Sequence, residues 1–213
     1  MKVALIGATG FVGSAVLKEL LARGHEVVAL ARNPGKLEAQ AGLSVRQADV
    51  RQADQVAAAL QGVDAVVSAY NPGWGVAGLY DEFLQGSRAI TQGVKQAGLT
   101  RLLVVGGAGS LYAAPGVQIV DTPEFPQAWK AGALAAREAL NLIRQESSLD
   151  WSFLSPAVHL EPGERRGHYR VSLDTPVMDA QGPAHISTAD LAMAIVDELE
   201  QPRHIRRRFT VGY

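Results

Sequence analysis

Three glycines at three-residue intervals, Gly7, Gly10 and Gly13, follow a short apolar run from Val3 to Ile6. That spacing reads as a buried strand, a tight turn and a helix beginning at Phe11 or Val12. The first turn of such a helix leaves backbone N–H groups unpaired and aims the positive end of its dipole at whatever lies above, which suits a pyrophosphate. The glycines have separate tasks. Gly7 permits the turn, Gly10 lets the backbone approach phosphate oxygens with no side chain between, and Gly13 lets the helix pack closely on the strand. Thr9 adds a hydroxyl donor. The implied chemistry is dinucleotide binding and not metal binding. His25, His159, His168, His185 and His204 are scattered, cysteine is absent, and no His-x-x-x-His or paired acidic cluster occurs, so no metal site is expected.

A dinucleotide's adenosine ribose is read at the end of the second strand, about 20 residues beyond the glycines, where an Asp or Glu would take the 2′-hydroxyl of NAD. The second apolar run, Val27 to Ala31, is followed by Arg32-Asn33-Pro34-Gly35, with no acid. The planar fork of Arg32 suits a 2′-phosphate, so NADP is favoured, with NAD the alternative. Ala69 and Tyr70 close a fourth strand, Asp64 to Ala69, and stand beside the cofactor at the carboxyl edge of the sheet. The Pro- and Gly-rich loop from Asn71 to Gly78 carries Trp74 and is placed to close over a flat substrate.

These residues must be held by alternating strands and helices, which predicts an α/β fold: a Rossmann-type, doubly wound parallel sheet. Strands are expected at Leu43 to Ala48, Arg101 to Val105, Trp151 to Leu154 and Phe209 to Tyr213. Helices are expected from about Gln52 to Leu60, Leu79 to Ala97, Gln127 to Glu146 and Leu191 to Glu200, the last behind a capping box, Ser187-Thr188-Ala189-Asp190. Leu111 to Pro126 reads as irregular, and 157–213 includes a small substrate-side region. Arg203, His204 and Arg206 to Arg208 read as a solvated basic face. The 213 residues suit one domain, 1–213.

The stretch GATGFVG resembles the motif of the extended and atypical short-chain dehydrogenase/reductases. The resemblance implies that Asp49 and Val50 line the adenine pocket, although Asp49 also suits a helix N-cap. It further implies a catalytic serine in the loop after the fifth strand, where Ser110 is the hydroxyl in Gly106-Gly107-Ala108-Gly109-Ser110. Members acting on alcohols use Tyr-x-x-x-Lys, the lysine lowering the tyrosine's pKa for proton exchange with a carbonyl oxygen. No such spacing occurs here, and Trp129 and Ala133 stand at the corresponding positions. From GATGFVG through VVGGAGS and LDWSFLSP to FTVGY, the chain resembles the NAD(P)H-flavin reductases related to biliverdin reductase B. That family places a histidine near the nicotinamide shortly after the sixth strand, a role His159 would fill, and Lys130 is either a ribose contact or an exposed residue.

A flavin or quinone delocalises the charge it receives, so a late proton from solvent suffices and the missing tyrosine is tolerated. The resemblance therefore implies an NAD(P)H-dependent reductase of a flavin-like or quinone-like small molecule. An NmrA-like redox sensor is the alternative, and a sugar-nucleotide epimerase comes third. A net charge of −1 gives no overall basic character for nucleic acid or an anionic membrane, and no apolar run approaches the roughly 20 residues of a membrane helix. A cytoplasmic monomer or homodimer is expected.

Overall fold

Alternate residues of the first strand point to opposite sides, and both sets are apolar and buried: Val3 and Leu5 on one side, Ala4 and Ile6 on the other. A strand apolar on both faces must be covered on both, which calls for a parallel sheet between two helix layers. The computed structural model, which describes residues 1–213, has that architecture. Strands β1 (Lys2–Ile6), β2 (Glu26–Ala31), β3 (Leu43–Gln47), β4 (Ala65–Ser68) and β5 (Arg101–Val105) alternate with α1 (Phe11–Ala22), α2 (Ala53–Ala59) and α3 (Leu79–Gln96), β2 passing to β3 without an α-helix. A hairpin of β6 (Tyr112–Ala114) and β7 (Val117–Gln118) precedes α4 (Gln127–Arg144) and β8 (Asp150–Ser155). Then follow β9 (His159–Glu161), β10 (Arg170–Ser172), β11 (Met178–Asp179), β12 (Gly182–Pro183), β13 (His185–Ser187), α5 (Thr188–Glu200) and β14 (Arg207–Gly212).

Eight strands make one sheet in the order β10-β14-β8-β5-β4-β1-β2-β3, with β10 antiparallel at its edge. The chain winds outward in opposite directions from β1, towards β2 on one side and β4 on the other. The crevice above their carboxyl ends is where such sheets bind ligands. Helices α1 and α5 cover one face through Val16, Leu20, Leu191 and Ile195. Helices α2, α3 and α4 cover the other through Val56, Ile90, Val94, Leu140 and Ile143. No helix is long and apolar enough to cross a membrane.

The last third does more than line a substrate side: β14 runs parallel to β8 and β10 closes the sheet edge. Leu111 to Pro126 is not wholly irregular, since it holds the β6–β7 hairpin. The basic cluster near the C-terminus is solvated only in part: Arg203, Arg206 and Arg207 are exposed, but Arg208 and His204 are not. Alternation along β14 turns Arg208 inward, where it is 4% exposed and bonds Asp174 and the Ser110 hydroxyl. His204 Nδ1 lies 2.8 Å from Glu198 Oε2 and its ring stacks on Phe209. Glu198, itself buried, also accepts from Ser152 Oγ at 2.8 Å, from the N–H groups of Arg203 and His204, and from Arg101 Nη2 at 3.4 Å.

The expected cap of α5 is present in half. Ser187 Oγ accepts from the Asp190 N–H at 3.0 Å, whereas the Asp190 carboxylate turns to the N–H groups of Arg166 and Gly167 and to the Tyr213 hydroxyl. Burial opposes ionisation of Asp190, but the Tyr213 and backbone donors prevail and hold its pKa below the usual value. Arg23 ties α1 to α5 by bonding Glu19 of its own helix and Asp197 and Glu200 of the other, which fixes the helix whose N-terminus faces the crevice.

Candidate cofactor crevice

The glycine turn has the geometry that its spacing predicts. Gly7 has φ +84°, open to glycine at little strain, and a Cβ there would lie 2.4 Å from the carbonyl oxygen of Ala69. A Cβ at Gly13 would lie 1.9 Å from the Gly7 carbonyl oxygen, so α1 sits directly on the turn. Gly10 differs. Its φ of −82° and ψ of 172° suit any residue, and a Cβ would meet only the Gly7 carbonyl, at 3.2 Å. The folded chain could take a side chain there with only a shift of a few tenths of an ångström, unlike at Gly7 and Gly13.

No side chain caps α1, and no acidic residue stands in its first turn. The N–H groups of Phe11, Val12 and Gly13 are thus left for an external acceptor, with Thr9 exposed beside them. The carboxyl end of β4 reaches the same turn through Ala69. Tyr70 follows it, half-buried, its hydroxyl donating to the Glu82 carbonyl at 3.1 Å and its ring lying where a Cβ of Gly86 would be. Burial, aided by the Glu82 charge, raises the Tyr70 pKa. A clear helix N-terminus, a backbone kept bare at Gly10 and an open crevice fit a dinucleotide pyrophosphate.

At the adenosine end, Arg32 is exposed just beyond β2; its carbonyl accepts from Gln47 Nε2, and its guanidinium takes part in no ion pair. Asp49 is not the N-cap of α2. That position is Gln52, and the Asp49 carboxylate instead accepts from Arg51 Nε at 3.0 Å and Nη2 at 2.8 Å, while Arg51 Nη1 bonds Glu82 at 2.9 Å. These Arg51 contacts hold the Asp49 carboxyl below its usual range, with a smaller contribution from the charge of Arg32. Val50 is buried beside it. Arg51 is therefore occupied by two carboxylates, whereas the Arg32 guanidinium is paired with none.

The loop after β5 lies flush on its neighbours because of its glycines. A Cβ at Gly106 would be 2.0 Å from the Phe153 ring, and one at Gly109 would be 3.0 Å from the Ala133 side chain of α4. Ser110, in this loop, is 2% exposed, and its hydroxyl accepts from Arg208 Nη1 at 3.3 Å. His159 is exposed on β9, in register with His185 of β13. The two are not brought into hydrogen-bond contact. The first turn of α4 presents an exposed Trp129 and a part-exposed Lys130, with Ala133 against the glycine loop. Phe11 and Trp74 are exposed as well. The sequence signals that could have pointed to this aromatic rim were Phe11 in the glycine motif and Trp129 near the start of α4.

This crevice belongs to a known lineage. A family described as NAD(P)H-binding matches residues 7–202. YwnB of Bacillus subtilis, a protein of uncharacterized function, is 41% identical over 99% of this chain and 98% of its own. A Bacteroides thetaiotaomicron structure, provisionally described as an epimerase, is 46% identical, covers 100% of this chain and 96% of its own, and superposes with a TM-score of 0.93. SP1627 of Streptococcus pneumoniae, provisionally described as an NADH-flavin reductase, is 36% identical over 99% of this chain and 98% of its own, with a TM-score of 0.82. With its glycine turn, uncapped helix and sheet order, the chain belongs to the NAD(P)H-binding Rossmann family and has an oxidoreductase-like fold.

Proposed function

We propose that this protein is an NADPH-preferring reductase that transfers hydride to a flavin-like or quinone-like acceptor. The observation that carries the reading is that Trp129 and Ala133, near the start of α4, stand where a phenol and an ammonium would be needed to protonate a carbonyl. When bound, a reduced nicotinamide supplies the acceptor with two electrons and one hydrogen nucleus as hydride. The second hydrogen arrives from solvent as a proton, which a conjugated acceptor can take late.

The chain's own residues bind and orient. Backbone N–H groups of Phe11, Val12 and Gly13 hold the pyrophosphate, Thr9 donates to it, Ala69 and Tyr70 bound the crevice, and Asp49 and Val50 flank the adenine. Arg32 takes the 2′-phosphate. Ser110 is a positioning residue that fixes the loop through Arg208, and His159 lies at the rim on the acceptor side. Three of the five phenols support the same view. Tyr70, Tyr169 and Tyr213 donate to Glu82, Asp197 and Asp190, and burial raises the pKa of Tyr70 and of Tyr169, the opposite of activation. An epimerase chemistry, which also moves a proton at a carbinol oxygen, is disfavoured for that reason. A cytoplasmic monomer or homodimer is part of this reading.

The cofactor preference is tested by Arg32→Ala. Loss of a charge-assisted phosphate contact is worth about 1.5–3 kcal/mol, so NADPH affinity should fall about 10- to 150-fold while NADH affinity stays within about twofold. Equal losses for the two cofactors would show that Arg32 serves the loop and not the phosphate.

A further inference from the structure

We infer that Trp74 and Trp129 form an aromatic clamp that selects acceptors with fused, flat ring systems, and that Gly132 is the seat holding Trp74 in place. The inference rests on the reductase reading and names the part of the crevice that recognises the acceptor. The chain has three tryptophans. Trp151 is 2% exposed in the core, whereas Trp74 is 62% and Trp129 58% exposed. A buried indole removes about 150–250 Å² from water, so leaving two of them open on neighbouring elements forgoes that gain unless something covers them. Neither ring pairs with another aromatic side chain.

Their placement follows from helix geometry. A Cβ on Gly132 would lie 2.6 Å from Cζ3 and 3.2 Å from Cη2 of Trp74, so the indole lies against the backbone of α4 at a point only glycine leaves clear. Trp129 precedes Gly132 by three residues and is its neighbour on the helix surface. Helical side chains lean towards the N-terminus, which carries the Trp129 indole over the first turn of α4, at the end near the carboxyl edge of the sheet. Ala133, one turn further along, touches the glycine loop that ends β5. In the sheet, β5 lies two strands from β1 and its phosphate-binding turn, or about 10 Å.

The loop bearing Trp74 is short and internally braced. Asn71 Oδ1 accepts from the Gly73 N–H at 2.8 Å, and the Val76 N–H donates to the Gly73 carbonyl at 3.2 Å. Trp74 on its braced loop and Trp129 on α4 thus stand on neighbouring elements about Gly132, each more than half exposed. Flat faces recognise the face of a fused conjugated ring by stacking and discriminate poorly among polar substituents.

The test is titration of NADP⁺-loaded protein with FMN, read as quenching of tryptophan emission, so that binding is measured with no turnover. Trp129→Ala and Trp74→Ala should each weaken FMN about tenfold, the scale of one aromatic stack, with Trp129→Phe restoring most of the loss. Gly132→Ala should displace Trp74 and weaken FMN similarly, with the melting temperature showing that the variant is folded. NADPH affinity should stay within about twofold in all of them, since none touches the glycine turn. FMN affinity within about twofold of wild type in both Trp→Ala variants would overturn the clamp, as would absence of quenching in the wild type. If FMN binds through the two indoles but is not reduced, the clamp stands and the reductase reading fails.

Discussion

Gly10→Val should abolish measurable nicotinamide binding while leaving the melting temperature within a few degrees of wild type. The two halves of this expectation have separate causes. The backbone at Gly10 is extended, with φ −82° and ψ 172°, and a Cβ there meets nothing nearer than 3.2 Å, so the folded chain accommodates the side chain with a small adjustment. The branched carbons then occupy the space through which the N–H groups of the first helical turn reach a pyrophosphate. Two charge-assisted hydrogen bonds at about 1.5–3 kcal/mol each correspond to at least a hundredfold loss of affinity. Calorimetric titration with NADPH and thermal melting check the two halves. Unchanged NADPH affinity in a folded Gly10→Val protein would remove the cofactor from this turn. Gly13→Ala is the instructive contrast, because a Cβ 1.9 Å from the Gly7 carbonyl oxygen damages the fold itself.

A large loss of stability is expected at Glu198, far from the crevice. Its carboxylate is 4% exposed and accepts from His204, Ser152, Arg101 and two backbone N–H groups. Burial alone would raise its pKa, but the donors from His204, Ser152 and Arg203 outweigh burial and lower it. Glu198→Ala leaves the Arg101 guanidinium, its side chain 11% exposed, without its counter-charge, and should cost about 3–5 kcal/mol, the usual penalty for breaking a buried pair from one side. The pH dependence follows in sign. Because the folded-state value lies below the ordinary 4.5, the unfolded chain binds more protons as acid is added. The stabilisation by this group is fully present above that value and is lost as pH falls through the lowered one. Urea titrations from neutral pH into acid should show wild type and Glu198→Ala converging as pH drops. A constant gap between them down to strong acid would mean that packing, and not the carboxylate's charge, supports the network.

The parts of the site that depend on local geometry were legible in the sequence. Gly7, Gly10 and Gly13 act within a few residues of one another, and their spacing alone states a strand, a turn and a helix N-terminus. The end of β2 was equally readable, since Arg32 follows its last apolar residue. Contacts across the sheet were not. Ser110 looks like a free loop hydroxyl until β14, whose Arg208 is 98 residues away, turns that side chain inward to meet it. Asp49 suits an N-cap by sequence position, but Arg51, two residues on, points back and claims the carboxylate together with Glu82 from α3. A run of arginines near the C-terminus reads as solvated, as Arg206 and Arg207 are, but Arg208 is turned inward, and a charge pattern does not say which one is buried. The strand β10 was hidden for a related reason: three residues at a sheet edge carry too little periodicity to be seen.

The central claim is that hydride leaves a nicotinamide for an acceptor that needs no placed acid. The most direct measurement is the rate of NADPH oxidation by the wild-type protein, at matched concentrations, with FMN, with a two-ring quinone and with a simple ketone. The absence of a phenol–lysine pair beside the crevice predicts that the flavin or the quinone outpaces the ketone by about 10²- to 10⁴-fold, the usual worth of a placed general acid. Reduction of the ketone at a rate equal to or above that of both conjugated acceptors would contradict the account.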